Sequence, residues 1–305
     1  MPTVSDIAGK IFLLGEYGVL AGGPAIVAAV GPRFEFRQGG DESGSLPGLH
    51  GDSPAARLLR DLGRSGEAAH AHYGFKDPHF GAGGFGASTA QFALVHEWLL
   101  PGRPVQDFWS RYQRLHAGET VPPSGADLHA QVQGGIQLWR GKGRGQALGL
   151  NPERNFDICV LAAGHQQGRK VATHAHLPRL QQIAAGKASW LAELTSLVER
   201  AAQAINARTG EALAHVLTRA GDLYRREGLE IEATSRDCAA LGVLPHVLAI
   251  KGAGAMQADA LVAVVERPGL QRFADACERR DLRFLGVLKD DEPGLRVFLP
   301  GGTTS

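Results

Sequence analysis

Apolar positions along the chain follow two rhythms. Short apolar runs at 11–14 (IFLL) and 26–30 (IVAAV) are bounded by glycine, and 34–38 (FEFRQ) alternates, so the N-terminal part opens as strands. Residues 39–52 read as a polar, glycine-rich loop. The stretch 54–62 then begins with proline and spaces Ala56, Leu59 and Leu62 as a helix does. From residue 88 onward Ala90, Leu94, Val95, Trp98 and Leu99 recur at helical spacing, with Ser88 or Thr89 placed to cap the first turn. A further amphipathic helix is predicted over 105–117, where Phe108, Tyr112 and Leu115 share a face. GGIQLW follows at 134–139, and 141–154 (GKGRGQALGLNPER) reads as a surface connection.

Beyond that connection the texture changes. FDICVLAAG (156–164) is a buried-strand run, and long helices are predicted over 188–206 and 210–227. Trp190, Leu194, Leu197, Val198, Ala201 and Ile205 form the stripe of the first. VLAI (247–250), DALVAVV (259–265), RFLGVL (283–288) and LRVFL (295–299) read as strands around one more helix at 268–281. This order predicts an α+β protein with helices on one face of its sheet, divided near residue 150 into units 1–150 and 151–305. The closing PGGTTS reads as frayed.

Composition narrows the function classes. With 32 Lys+Arg against 31 Asp+Glu the net charge is +1, so no field large enough to hold nucleic acid or an anionic membrane is expected. Cys159, Cys238 and Cys277 are odd in number, widely spaced and set in apolar segments, which fits reduced, buried thiols in a reducing compartment. No run approaches the ~20 apolar residues of a membrane span, and MPTVSDIAGK lacks the pattern of a signal peptide. The expectation is a cytoplasmic protein, monomer or homodimer. Glycine stands out, with 41 residues among 305, roughly double the usual share of about 7%.

Those glycines cluster in motifs. GAGGFGASTA (81–90) ends at a helix start, where glycines let the backbone approach a ligand and the unpaired N–H groups favour an anion. No lysine follows as in GxxxxGK[ST], and no acidic residue follows at the spacing of a dinucleotide fingerprint. AGKIFLLGEYGVLAGGPA (8–25) places a lysine before a strand and a Gly-Glu-Tyr turn after it. PSGAD (123–127) and KGAGAMQAD (251–259) complete the set. Alone, Lys10 would be a solubilising strand-edge lysine, Asp127 an Asx turn and Glu16 a surface charge. The HAH pairs His70/His72 and His174/His176 have no Cys or His companion at metal spacing, so they are not read as a metal site.

In this order the motifs resemble the GHMP kinases, in particular the mevalonate kinase and phosphomevalonate kinase branch, over essentially the whole chain. The opening is similar to P-G-K-x-x-L-x-G-E-H, with Ala8 for proline, then Gly9, Lys10, Leu13, Gly15 and Glu16, and Tyr17 where histidine is usual. GFGAST is similar to G-L-G-S-S, matched by Gly84, Phe85, Gly86 and Ser88, with Ala87 replacing the first serine. PSGAD is similar to P-S-G-x-D, and KGAGAMQAD resembles G-A-G-G-G only through Gly252, Ala253 and Gly254. GRKVATHAHL (168–177) resembles a substrate-contact segment, with Val171 where that segment has arginine, Thr173 matching, and Arg169 and Lys170 adjacent.

The resemblance implies a two-domain α+β fold, ribosomal protein S5 domain 2-like in its N-terminal half and ferredoxin-like in its C-terminal half. It also implies ATP and Mg²⁺ as cofactors and a small anionic molecule bearing a hydroxyl, mevalonate or 5-phosphomevalonate, as substrate. Gly83, Gly84, Phe85, Gly86, Ala87, Ser88 and Thr89 would then hold the nucleotide, with Ser88 and Glu119 as Mg²⁺ ligands. Lys10 and Asp127 would be catalytic, the former lowering charge and the latter orienting or deprotonating the hydroxyl. Glu16, Tyr17, Lys170, Thr173, Gly252, Ala253 and Gly254 would face the substrate. Another hydroxy acid or sugar as acceptor, or an inactive ligand-binding regulator, stays open at this point.

Overall fold

The two N-terminal apolar runs pair as one long antiparallel ladder in the computed structural model, which describes residues 3–38, 51–64, 73–79, 83–163, 177–254 and 260–298. Strand β1 (Thr3–Leu14) lies against β2 (Ala25–Gln38). The separate strands expected at 26–30 and 34–38 are one strand, because Gly31 and Pro32 fall in the register skip between the Gly9–Val30 and Ile7–Phe34 pairs, where a missing N–H breaks no ladder bond. β3 (Tyr73–Lys76) pairs with β2, as does β4 (Ile136–Trp139). The segment expected as a surface connection contains β5 (Gly145–Leu148), an edge strand on β4 whose exposed positions left no hydrophobic signal.

The second sheet is built from β6 (Phe156–Ala163), β7 (Val247–Ala253), β8 (Ala260–Glu266) and β9 (Leu282–Val287), in the order β7-β8-β6-β9, all antiparallel. Helices connect β6 to β7 and β8 to β9, so the first strand sits between the third and fourth, as in a ferredoxin-like unit. The run LRVFL does not stay in this half: β10 (Arg296–Phe298) returns to pair with β1 and completes the six-stranded first sheet.

Nine helices occur among the described residues. In the first half, α1 (Pro54–Asp61) has proline in its first turn and Ser53 Oγ accepting from Ala56 N–H, and α2 (Ala87–Leu99) and α3 (Val105–Leu115) match the predicted amphipathic stretches. The short α4 (Ala126–Gln133) was not predicted. In the second half α5 (Leu177–Ala184), α6 (Leu191–Ala204), α7 (Glu211–Arg226) and α8 (Glu232–Gly242) precede β7, and α9 (Leu270–Glu278) precedes β9.

Helices cover both faces of the second sheet, not one. Ile158, Val160 and Ala162 of β6 face a core shared with Leu194, Leu197 and Val198 of α6 and with Leu213 and Leu217 of α7. Cys159, Leu161 and Ala163 face Cys238 and Leu241 of α8 and Phe273 and Cys277 of α9. A strand buried at every position needs cover on both sides. The first of these cores continues into the N-terminal sheet through Ile11, Leu13 and Ile26 and on to Phe92 of α2, so one apolar body joins the halves. All three cysteines are free and buried, and burial pushes the thiols of Cys238 and Cys277 up to about 12. No helix among the described residues is long and apolar enough to cross a membrane.

Arg33 ties the returning C-terminal segment down. Its Nε donates to Asp6 Oδ1 at 2.8 Å, its Nη1 to Glu292 Oε1 at 3.0 Å and to Pro293 O at 2.6 Å, and its Nη2 to Gly294 O. Asp6 also accepts from Arg296 Nε at 2.8 Å. Arg33→Ala leaves these acceptors short of a charged donor and is expected to lower the unfolding free energy by about 2–3 kcal/mol. Chemical denaturation measures it. A loss below about 0.5 kcal/mol, the range of an ordinary surface change, would show that β10 is held otherwise.

Candidate active site

The glycine loop enters α2 through two left-handed backbone positions, Gly84 (φ 91°) and Gly86 (φ 80°). Gly86 is the N-cap and no side chain caps the helix, so the expected cap from Ser88 or Thr89 is not made. Both residues lie inside the first turn instead. Thr89 is buried, with Oγ1 2.9 Å from Gly86 O and 2.5 Å from Gln131 Oε1, while Ser88 is exposed. An uncapped N-terminus leaves its first-turn N–H groups as donors for an anion. A Cβ at Gly86 would lie 2.9 Å from Lys10 Cγ and 3.0 Å from Thr89 Oγ1, so space as well as backbone requires glycine there.

The loop is held from beneath. Phe85 is buried, stacks on the His79 ring at 4.4 Å and 7°, and accepts the Lys10 backbone N–H through its carbonyl at 3.0 Å. Burial lowers His79 to about 4, so its imidazole is neutral at ordinary pH. Gln131 of α4 is fully buried, and its Nε2 donates to Ala8 O at 2.9 Å and to Gly86 O at 3.3 Å. One amide thus joins β1, the loop and, through Thr89, α2.

Lys10 rises from β1 into this junction and is buried. Burial lowers its pKa, and the charges of Asp127 and Glu16 act in the opposite direction. Asp127 sits half-buried in the first turn of α4, whose N-cap, Gly125, is left-handed at φ 76°. The turn before it is braced by α3: Trp109 Nε1 donates to Ser124 O at 3.3 Å and Gln113 Nε2 to Pro123 O at 2.6 Å. Asp127 Oδ1 accepts from Leu128 N–H at 3.0 Å, which sets the carboxylate against its own helix N-terminus. A buried lysine, a carboxylate acting on it and an uncapped, glycine-entered helix therefore occupy one junction.

Glu16 lies beyond Lys10, in the turn after β1, and is buried. Its Oε2 accepts from Tyr224 Oη at 2.7 Å and its Oε1 from Lys251 Nζ at 3.3 Å. Tyr17 packs edge-on against Tyr224, with ring centroids 5.5 Å apart, and donates its hydroxyl to Leu229 O at 3.1 Å. Glu16, Tyr17 and Tyr224 line a small open pocket, flanked on its other sides by Glu230, Thr234 and the turn Gly252, Ala253 and Gly254. The Gly-Glu-Tyr turn after β1 and the Gly252–Gly254 turn, far apart in sequence, thus share one pocket.

Glu119 is exposed and ion-paired with Arg57. Lys170, Thr173, Arg169 and Val171, together with the His70/His72 and His174/His176 pairs and PGGTTS, lie outside the described residues. Sequence reasoning missed Gln131, His79, Tyr224, Glu230 and Lys251. Of these only Lys251 carried a signal, as a charge sharing the inward register of Ala249 and Ala253.

No family model and no curated protein sequence matches the chain. Solved structures do. The Methanococcus jannaschii mevalonate kinase superposes with a TM-score of 0.70 at 13% identity, covering 94% of this chain and 98% of that one. Streptococcus pneumoniae phosphomevalonate kinase in complex with phosphomevalonate and AMPPNP gives 0.71 at 14% identity, covering 93% and 98%. Lactococcus lactis galactokinase complexed with galactose gives 0.71 at 11%, covering 96% and 94%. With near-complete coverage of each chain at these TM-scores, the protein has the GHMP kinase fold.

Proposed function

We propose that the protein is an ATP- and Mg²⁺-dependent kinase of small molecules, transferring a phosphoryl group to a hydroxyl, with mevalonate or 5-phosphomevalonate as the acceptors to try first. The observation that carries this reading is the junction of Lys10, Asp127 and the uncapped N-terminus of α2. A structural glycine turn needs none of these companions, and a binding module has no use for a buried lysine held beside a carboxylate.

The residues fit a nucleotide. The uncapped first turn of α2, entered through left-handed glycines, suits a triphosphate held by residues 83–89. Among the described residues no cluster of three His, Cys, Asp or Glu side chains could hold a metal alone. Mg²⁺ would be carried mainly by phosphate oxygens, with Ser88 and Glu119 as the protein ligands the resemblance implies, Glu119 being ion-paired with Arg57. When bound, the nucleotide and its metal supply the activated phosphoryl group. The chain's own part is positioning and charge. Lys10 brings a positive group to the developing negative charge, and Asp127 orients the acceptor hydroxyl and takes its proton. The anionic end of the acceptor falls to Lys170 or Arg169 on the sequence reading.

Asp127→Asn keeps size and hydrogen bonding but removes the carboxylate, so kcat is expected to fall about 10²–10⁴-fold with ATP affinity preserved. Single-turnover transfer to mevalonate and 5-phosphomevalonate measures it, and an active enzyme indifferent to the change would remove Asp127 from the chemistry. Gly86→Val is expected to act oppositely, weakening ATP binding measured by calorimetry. Unchanged affinity would take the loop out of the site. A wild type that binds ATP tightly yet phosphorylates no hydroxyl would make the protein a regulator.

Lys10 gives a pH signature. Because burial lowers its pKa below the ordinary 10.5, a rate that needs the charged amine is expected to fall on the alkaline side before an exposed lysine would lose its proton. Asp127 raises that pKa, so in Asp127→Asn the alkaline limb of the residual rate moves to lower pH. A limb unmoved by the substitution would separate the two groups. The same sign governs stability: between the folded and unfolded pKa values the unfolded state holds the extra proton, so stability rises with pH through that window.

A further inference from the structure

His79 belongs to none of the motifs, yet its ring lies where two of them meet. It stands in the turn after β3, where its backbone N–H donates to Asp77 Oδ1 at 2.8 Å, and its side chain is buried. The imidazole lies flat on Phe85 of the glycine loop, with centroids 4.4 Å apart and planes 7° from parallel. It also rests on Gly9, where a Cβ would lie 3.0 Å from His79 Nε2 and 3.1 Å from Val30 O. Gly9 immediately precedes Lys10, whose backbone N–H donates to Phe85 O at 3.0 Å. Phe34 packs beside the ring at 5.3 Å between centroids.

Both ring nitrogens are engaged, which sets the plane of the imidazole. Nε2 lies 3.2 Å from Pro32 O. A carbonyl only accepts, so Nε2 carries the ring proton and Nδ1 is left as an acceptor. Nδ1 faces Arg283 Nη2 at 3.4 Å, and the same guanidinium reaches Pro78 O at 3.3 and 3.4 Å. Arg283 belongs to β9, so the second half of the molecule contacts the ring as well.

Space filling does not ask for this residue. A leucine or methionine fills an apolar gap without the cost of burying two polar nitrogens. What an oriented, flat ring adds is a direction for Phe85. The neighbours of Phe85 are Gly84 and Gly86, both left-handed and without side chains to fix them. Such a backbone has many conformations of similar energy, and a loop that must be ordered on binding loses affinity by that ordering. Between two such glycines Phe85 is the side chain that can hold the backbone, and His79 is the surface against which it is held.

We infer that His79 is a positioning residue for nucleotide binding: stacked on Phe85 and seated on Gly9, it fixes the glycine loop against the strand that carries Lys10 before the nucleotide arrives. The inference rests on the nucleotide reading of the loop and adds to it a residue that acts through Phe85.

The test is a double-mutant cycle in the full chain, with wild type, His79→Ala, Phe85→Leu and the two combined. Affinity for an unreactive ATP analogue with Mg²⁺ is measured by calorimetry well below the melting temperature of each variant, beside thermal melts. Each single change is expected to weaken binding about 3- to 10-fold, the worth of an aromatic pair, and the double variant no more than either single. His79→Phe, which keeps a flat ring against Phe85, is expected to recover most of the loss. A residue that served stability alone would lower the melting temperature in His79→Ala and leave analogue affinity at the wild-type value, and that result overturns the inference. Losses that add in the double variant overturn it as well, since the two residues would then act by separate routes. Should His79→Ala fail to fold, His79→Gln, which keeps a donor for Pro32 O but no ring, takes its place in the cycle under the same criteria. A wild type without affinity for the analogue sinks the nucleotide reading and the inference together. A wild type that binds it no better than His79→Ala sinks the inference alone.

Discussion

The side-chain amide of Gln131 is fully buried, and a buried amide must find partners or destabilise the fold. It finds them in the carbonyls of Ala8 and Gly86 and in the Thr89 hydroxyl, which belong to β1, the glycine loop and α2. That requirement locks three chain segments into one geometry. It sets where α2 begins, hence where the uncapped N-terminus lies, and it brings α4, and with it Asp127, beside the strand that carries Lys10.

Charge at the junction is a balance. Burial lowers the pKa of Lys10, and the charges of Asp127 and Glu16 oppose this. A lysine so placed is a weakly hydrated cation, better able to act on an incoming negative charge than one already surrounded by water. Beneath the loop the logic differs: His79, lowered to about 4 by burial, meets Phe85 as an uncharged ring, so its support for the loop persists through neutral pH.

The halves of the molecule meet through both apolar and charged contacts. The shared core running from Ile11 and Phe92 to Val160 and Leu217 joins them without direction. Direction comes from polar contacts, which have geometry: Glu16 with Lys251 and Tyr224 on the pocket side, and Arg33 with Asp6, Glu292 and the 293–294 carbonyls at the opposite strand end. The pocket between the Gly-Glu-Tyr turn and the Gly252–Gly254 turn therefore has walls from both halves.

What the sequence by itself determined is whatever depends on near neighbours. The glycine cluster at 81–90 announced a loop ending at a helix start, the stripe through Leu194, Leu197 and Val198 announced α6, and Lys10, Asp127 and the glycine loop were legible because each sits in a motif only a few residues long. The tertiary structure alone decided the rest. Strand β10 reads the same from its own residues whichever sheet it joins, and it joins β1 because Asp6 and Arg33 are there to receive Arg296 and the turn before it. The helices of the second half cover both faces of β6 because its neighbours in space, not in sequence, leave both faces apolar. Gln131 is an ordinary polar residue on a short helix until burial forces it to bond across 123 positions to Ala8. Lys251 likewise becomes a partner of Glu16 only when 235 positions of intervening chain have folded, since a side chain's chemistry is local but its solvation is set by everything packed around it.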